Sequence, residues 1–342
     1  VPHIDLITEF ERCLAEYAPG RFPVAVQSGT SAIHLALKAL GVRRGDYVIV
    51  PSFTYIGSVN PVLYEGATPV FVDCEPETWN IDPNLLYTAI TELVRANKRP
   101  KAIIIVHTYG MPCDMNAIRQ ISSEFEIPVL EDAAEAVGST TEGMSAGCHG
   151  EISILSFNNN KTITTYGGGV VLCASAAVAK KVLFWATQSR EPRPYYLHEE
   201  VGYNYRMSPI AAAMGIAAWT TLTERVNRRI EILKYYQDNL IPGGWRGQVE
   251  KFGKTNAWLS VFVFPESATI QQVRKVYDLL AEKNIEVRPF WNPLHLNPLF
   301  TGCRFFGGNI AQHLFARGIC LPSSNQLSQQ ELDTVISTLR MV

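Results

Sequence analysis

Seven short apolar runs rich in β-branched residues recur along the first half of the chain. They are VAV at 24–26, YVIV at 47–50, PVFVD at 69–73, KAIIIVH at 101–107, IPVLED at 127–132, EISILSF at 151–157 and GVVLC at 169–173. Being apolar without alternation, they suit strands buried on both faces of a mostly parallel sheet. Helical patterns at Ser31–Leu40, Pro83–Asn97 and Asn116–Phe125 fall between several of them. This alternation predicts an α/β fold: a three-layer α/β/α large domain with right-handed crossovers. A helical stretch from Pro209 to Leu240 follows, and PGGW at 242–245 breaks it. A smaller C-terminal α+β domain is expected beyond, so the chain divides into 1–240 and 241–342.

Composition narrows what such a fold does. With 342 residues, 47% hydrophobic and 18% charged, a sizeable core is expected rather than disorder. A formal net charge of -2 offers no basic face, so nucleic acid is not an expected partner. The seven cysteines form no C-x-x-C pair, which reads as reduced thiols in a cytoplasmic protein without a zinc site. No apolar run approaches the roughly 18 residues that span a bilayer, and no signal peptide is visible. Because residue 1 is Val rather than Met, a preceding segment is expected to be missing.

In open α/β sheets the ligand lies at the carboxyl ends of the strands. After the first strand, QSGTSAIHLAL places Gly29, Thr30 and Ser31 at a helix start, where free amides and hydroxyls suit an anion. An ordinary hydroxyl cap is the plainer alternative. Tyr55, just beyond the second run, suits stacking on a planar ligand or simple core packing. Glu131 and Asp132 end the fifth run, and a buried carboxylate there needs a partner: a helix start, an arginine, or a cationic ring nitrogen. Ser156 ends the sixth run and adds a hydroxyl. In SFNNNKTITTYGGG a single Lys161 stands among small uncharged residues. That setting suits an amine that must be free to attack a carbonyl, whereas a solvated surface lysine needs none of it. An anion cradle, a stacking ring, a carboxylate for a ring nitrogen and an amine are the parts that hold pyridoxal 5′-phosphate (PLP). A dinucleotide reading fails, because no G-x-G-x-x-G follows the first strand.

Longer stretches extend the pattern: PSFTYIGSVNPVLYEGATPVFVD, IIVHTYGMPCDM, EDAAEAVGS, HEEVGYNYRMSPIAAAMG, RPFWNPLHLNPLF and GICLPSS. With them the chain, from about residue 26 to 325, resembles the DegT/StrS sugar aminotransferases, PLP enzymes of fold type I. The resemblance implies that Lys161 is the Schiff-base lysine and Asp132 the pyridinium partner. It further implies that Thr30 and Ser156 bind phosphate with the backbone of Gly29 and Ser31, and that Tyr55 stacks on the ring. Glu135, where many relatives have Gln, would lie near the ring hydroxyl. Asn204 and Arg206 would reach the neighbouring subunit's site, which implies a homodimer with shared active sites. Trp291 and His295 would line the sugar pocket. Asn292 departs from a lysine common in relatives, Tyr166 replaces a smaller residue, and the segment that precedes VPHIDLITEFE in relatives is absent.

The implied activity moves an amino group from an amino acid, glutamate, to C4 of a nucleotide-linked 4-keto-6-deoxy sugar, with Lys161 as tether, base and acid. Related dehydratases replace that lysine by histidine, so Lys161 speaks against dehydration. A PLP-binding regulatory or structural protein without transaminase activity is the alternative from another class.

Overall fold

Each apolar run forms a strand, since β-branched side chains fit a pleated surface that is packed on both sides. The computed structural model describes residues 5–340. In space the strands run Phe22–Val26, Gly169–Cys173, Ile152–Ser156, Val129–Asp132, Ala102–Val106, Tyr47–Pro51 and Thr68–Val72. An eighth strand, Phe305–Phe306, extends the sheet beside Thr68–Val72. Gly169–Cys173 is antiparallel to both its neighbours, and every other adjacent pair is parallel.

Strand periodicity distributes the core over two faces. Ile104, Val48 and Val50 pack with Ile33, Leu35 and Leu37 of helix Gly29–Ala39. Their sequence neighbours Ile103, Ile105 and Ile49 pack against Leu86, Ile90 and Leu93 of helix Pro83–Arg95 and Ile118 of helix Met115–Phe125. Each such side chain contributes about 1.5–3 kcal/mol by leaving water. Those two helices start at aspartates: the Asp82 carboxylate accepts from Asn84 and Leu85 amides, and the Asp114 carboxylate from that of Ala117.

The stretch from 209 to 240 is two helices, Pro209–Trp219 and Leu222–Leu240. At the break, the hydroxyls of Thr220 and Thr221 donate to the carbonyls of Ala217 and Ala218 at 2.9 and 2.8 Å. Such local bonds compete with the helical ladder. A four-stranded antiparallel sheet follows, ordered Arg246–Gly247, Ser260–Val263, Gly318–Leu321 and Arg288–Pro289. Its Phe262, Ile319 and Leu321 share a core with Ile232, Tyr236 and Leu240 and with helices Ile270–Glu282 and Gln329–Leu339. Packing therefore crosses residue 240 in both directions, as the return of Phe305–Phe306 to the large sheet also shows. No helix among the described residues is long and apolar enough to cross a membrane.

Candidate active site

At the carboxyl ends of the strands lies a cavity of ≈ 390 Å³, a size that suits a small cofactor. Its phosphate-sized end is built by register. Gly169 lies opposite Val26 on one side and Ser156 on the other, which carries Ser156 to the start of helix Gly29–Ala39. The approach is close enough that a Cβ on Gly169 would overlap the Ser28 carbonyl and the Gly29 nitrogen. A Cβ on Gly29 would sit 3.0 Å from that of Ser156.

The helix cap is Ser28, whose Oγ accepts from the Ser31 amide at 3.0 Å. Ser31 is thereby consumed: it is buried, its hydroxyl pairs with that of Ser28, and it does not line the cavity. Gly29 and Thr30 do line it. Among the described residues, no hydrogen bond engages the hydroxyls of Thr30 and Ser156. Two first-turn amides, two free hydroxyls and the helix dipole fit a phosphate.

Asp132 lines the floor and is buried. Its Oδ2 accepts from Ser58 Oγ at 2.7 Å and its Oδ1 from the Ala134 amide at 3.0 Å. Burial nevertheless pushes this carboxyl above its usual range, because the two bonds and more distant cations offset desolvation incompletely. A cationic ring nitrogen would supply what is missing. Glu131 points to the opposite face and has a structural duty. It accepts from Gly147, His149 and Gly150 amides and Ser153 Oγ, and meets His107 Nε2 at 2.9 Å. Burial alone would raise its pKa, but those partners hold it well below the carboxylate range.

Lys161 follows the strand Ile152–Ser156 in a loop closed by the Lys161 amide on Asn158 O and the Thr165 amide on Phe157 O. Its side chain is 12% exposed, and burial lowers its proton affinity. The uncharged setting expected from the asparagines is corrected. Asn158, Asn159 and Asn160 are exposed, and Nζ instead faces Glu135 Oε1 at 3.5 Å and the Trp258 ring at 3.8 Å.

Trp258 is a residue that sequence reasoning missed. Its indole donates to Asn160 O at 2.8 Å, while Asn256 Nδ2 donates to the Glu135 and Val137 carbonyls. Segment 256–258 thus ties the Lys161 and Glu135 loops together. Glu135 itself is buried, its Oε2 accepting from the Tyr109 amide at 2.8 Å. Tyr109 adopts φ 56, an uncommon conformation for a bulky residue, and stacks on Trp291 at 4.3 Å. Trp291 and Tyr55 line the cavity, Tyr55 on its lip at 59% exposed.

Three further expected residues stand outside the cavity of this chain. The exposed Asn204 accepts from Gln188 at 3.1 Å. Arg206 is tied to Glu11 and to Ala25 O. His295 meets Ser52 Oγ at 2.6 Å and stacks on Phe305. Local sequence could not reveal Glu11, Ala25 and Ser52 as partners, since they come from distant segments.

Residues 4–340 match the DegT/DnrJ/EryC1/StrS aminotransferase family. The chain belongs to this family. EpsN of Bacillus subtilis (strain 168), which carries the name of a pyridoxal phosphate-dependent aminotransferase, is 43% identical, with 98% of this chain and 87% of that protein covered. The GDP-perosamine synthase of Escherichia coli O157:H7 is 38% identical over 95% of this chain and 87% of its own. Spr1654 from Streptococcus pneumoniae, solved in a PLP form, superposes with a TM-score of 0.88 at 26% identity, covering 98% and 90% of the two chains. The protein is a PLP-dependent sugar aminotransferase of fold type I.

Proposed function

We propose that this aminotransferase moves the amino group of glutamate to C4 of a nucleotide-linked 4-keto-6-deoxy sugar. What carries this reading is the convergence of Lys161, Asp132 and the Gly29–Thr30 helix start on one cavity. The relatives named GDP-perosamine synthase support a nucleotide-linked amino-sugar product.

PLP supplies an electron sink on which an amino group is carried between two carbonyl compounds. Gly29, Thr30 and Ser156 would hold its phosphate, Asp132 its ring nitrogen, and Tyr55 would cover it. Lys161 Nζ would tether the cofactor and, when free, would move one proton off the donor carbon and another onto the acceptor carbon. Burial helps by favouring the free amine. Trp258, Tyr109 and Trp291 wall this end of the site against water.

The protein is further proposed to act as a cytoplasmic homodimer with shared sites. Helix Pro209–Trp219 supports the dimer: it reads PIAAAMGIAAW, yet buries Ala212 and Gly215 while Ile210 stays 77% exposed. An all-apolar helix is expected to be covered on every side.

Incubation with glutamate and a panel of UDP-, GDP- and dTDP-linked keto sugars tests the reaction. A 4-keto-6-deoxy sugar should yield 2-oxoglutarate and an amino sugar. Turnover confined to 3-keto sugars would refute the C4 assignment.

A further inference from the structure

The two carboxyl groups of the cavity use their oxygens differently. Asp132 has both engaged, by Ser58 Oγ and the Ala134 amide. Glu135 has Oε2 pinned by the Tyr109 amide, while Oε1 faces the Lys161 amine at 3.5 Å. Asn256 fixes the Glu135 backbone from one side, and Trp258 fixes the Lys161 loop from the other. The two side chains are therefore held face to face by one segment, 256–258, that anchors both loops.

We infer that Glu135 is the proton store of Lys161: it takes up the proton the lysine sheds to act as a base and returns it when the lysine acts as an acid. In each exchange an Nζ–H bond breaks and an Oε1–H bond forms, so ammonium and carboxylate become amine and carboxylic acid. The net charge of the cavity is unchanged, and no solvent proton is required. This rests on the proposed role of Lys161.

The surroundings favour such sharing. Burial raises Glu135 to about 7 against the opposing pull of Lys161 and the Tyr109 amide, and burial lowers Lys161. The other ionisable neighbours of Glu135 are Asp132, Tyr109 and Cys320. The Tyr109 phenol is pushed far up and the Cys320 thiol to about 12, so both stay neutral at physiological pH. Asp132 is also raised by burial, but Ser58 and the Ala134 amide donate to it and pull the other way. Two carboxyls held in different environments divide their duties in this way.

Glu135→Gln tests the inference, because its amide oxygen still accepts from Tyr109 while the group cannot ionise. The readout is competitive acetylation of Lys161 in the full chain without cofactor, followed from about pH 5 to 10 on the Lys161 peptide. In the wild type Lys161 should titrate in two coupled steps, one near neutral pH. The Gln variant should show one step at lower pH, with about tenfold more free amine below the midpoint. The pH profile of the bound cofactor's absorbance should move the same way in the loaded enzyme. An unchanged Lys161 midpoint in a folded variant overturns the inference. If that variant does not fold, the wild type decides: two steps support the store, and a single step in the ordinary lysine range overturns it. Failure of glutamate to change the wild-type cofactor band would instead overturn the aminotransfer reading and leave the labelling result standing.

Discussion

Glu131 and Asp132 are neighbours in sequence with opposite duties, because consecutive strand side chains point to opposite faces. Glu131 is saturated by amides, a hydroxyl and His107, and it organises the 147–153 turn. Asp132 faces the cavity with fewer partners than a buried carboxylate needs. Asp132→Asn is therefore expected to fold, since the amide no longer brings a charge out of water. Its turnover should drop about 100-fold or more, because an amide cannot balance a cationic ring nitrogen as a carboxylate does. Steady-state kinetics beside thermal unfolding checks both halves. Turnover close to wild type would mean that another group serves the ring nitrogen. The residues alone pointed to both carboxylates and the family resemblance to Asp132. The strand's facing supplies the physical reason, with Asp132 lining the cavity and Glu131 bonded on the other side.

At the scale of elements, the start of helix Gly29–Ala39 joins stability to binding. Ser28 caps it and keeps the Gly29 and Thr30 amides pointed at the cavity. Ser28→Ala should lower stability by about 1 kcal/mol. It should also weaken cofactor retention as the first turn frays. Unfolding measured with and without PLP separates the two, and equal destabilisation in both states would argue against a binding role. Strands and their carboxyl ends were legible because apolar runs are local signals, and Gly29, Thr30, Asp132, Ser156 and Lys161 all follow from them. Ser31 was expected in the anion site and Ser28 was not singled out. The helix boundary decides this, since with Ser28 as cap the Ser31 amide is spent on its hydroxyl. Trp258 and the Glu135–Lys161 contact were hidden for another reason: they join segments far apart in the chain. The break at Thr220–Thr221 escaped notice because threonine is only a mild helix breaker.

At the scale of the whole molecule, the exposed Asn204 and the apolar helix Pro209–Trp219, exposed along Ile210 and Met214, lie close in sequence. If both meet a second copy, each active site draws on two chains. Co-expression of a Lys161→Ala chain with an Asn204→Ala chain should then give heterodimers with one intact site of two, about half the wild-type activity. Arg206 is better left untouched, since its pairing with Glu11 supports the fold. Purified heterodimers as inactive as either parent would exclude shared sites. The late strand Phe305–Phe306 has a consequence during synthesis. Its partner Thr68–Val72 leaves the ribosome roughly 10–50 s earlier at ordinary elongation rates. Through that interval the sheet shows an open edge, the kind that pairs with the wrong chain. Phe71 and Asp73 later donate their amides to Arg304 and Phe306, whereas Pro69, on the same outward row, has no amide to offer. The proline blunts the stretch that the returning strand never covers, guarding the nascent edge before its partner exists and afterwards.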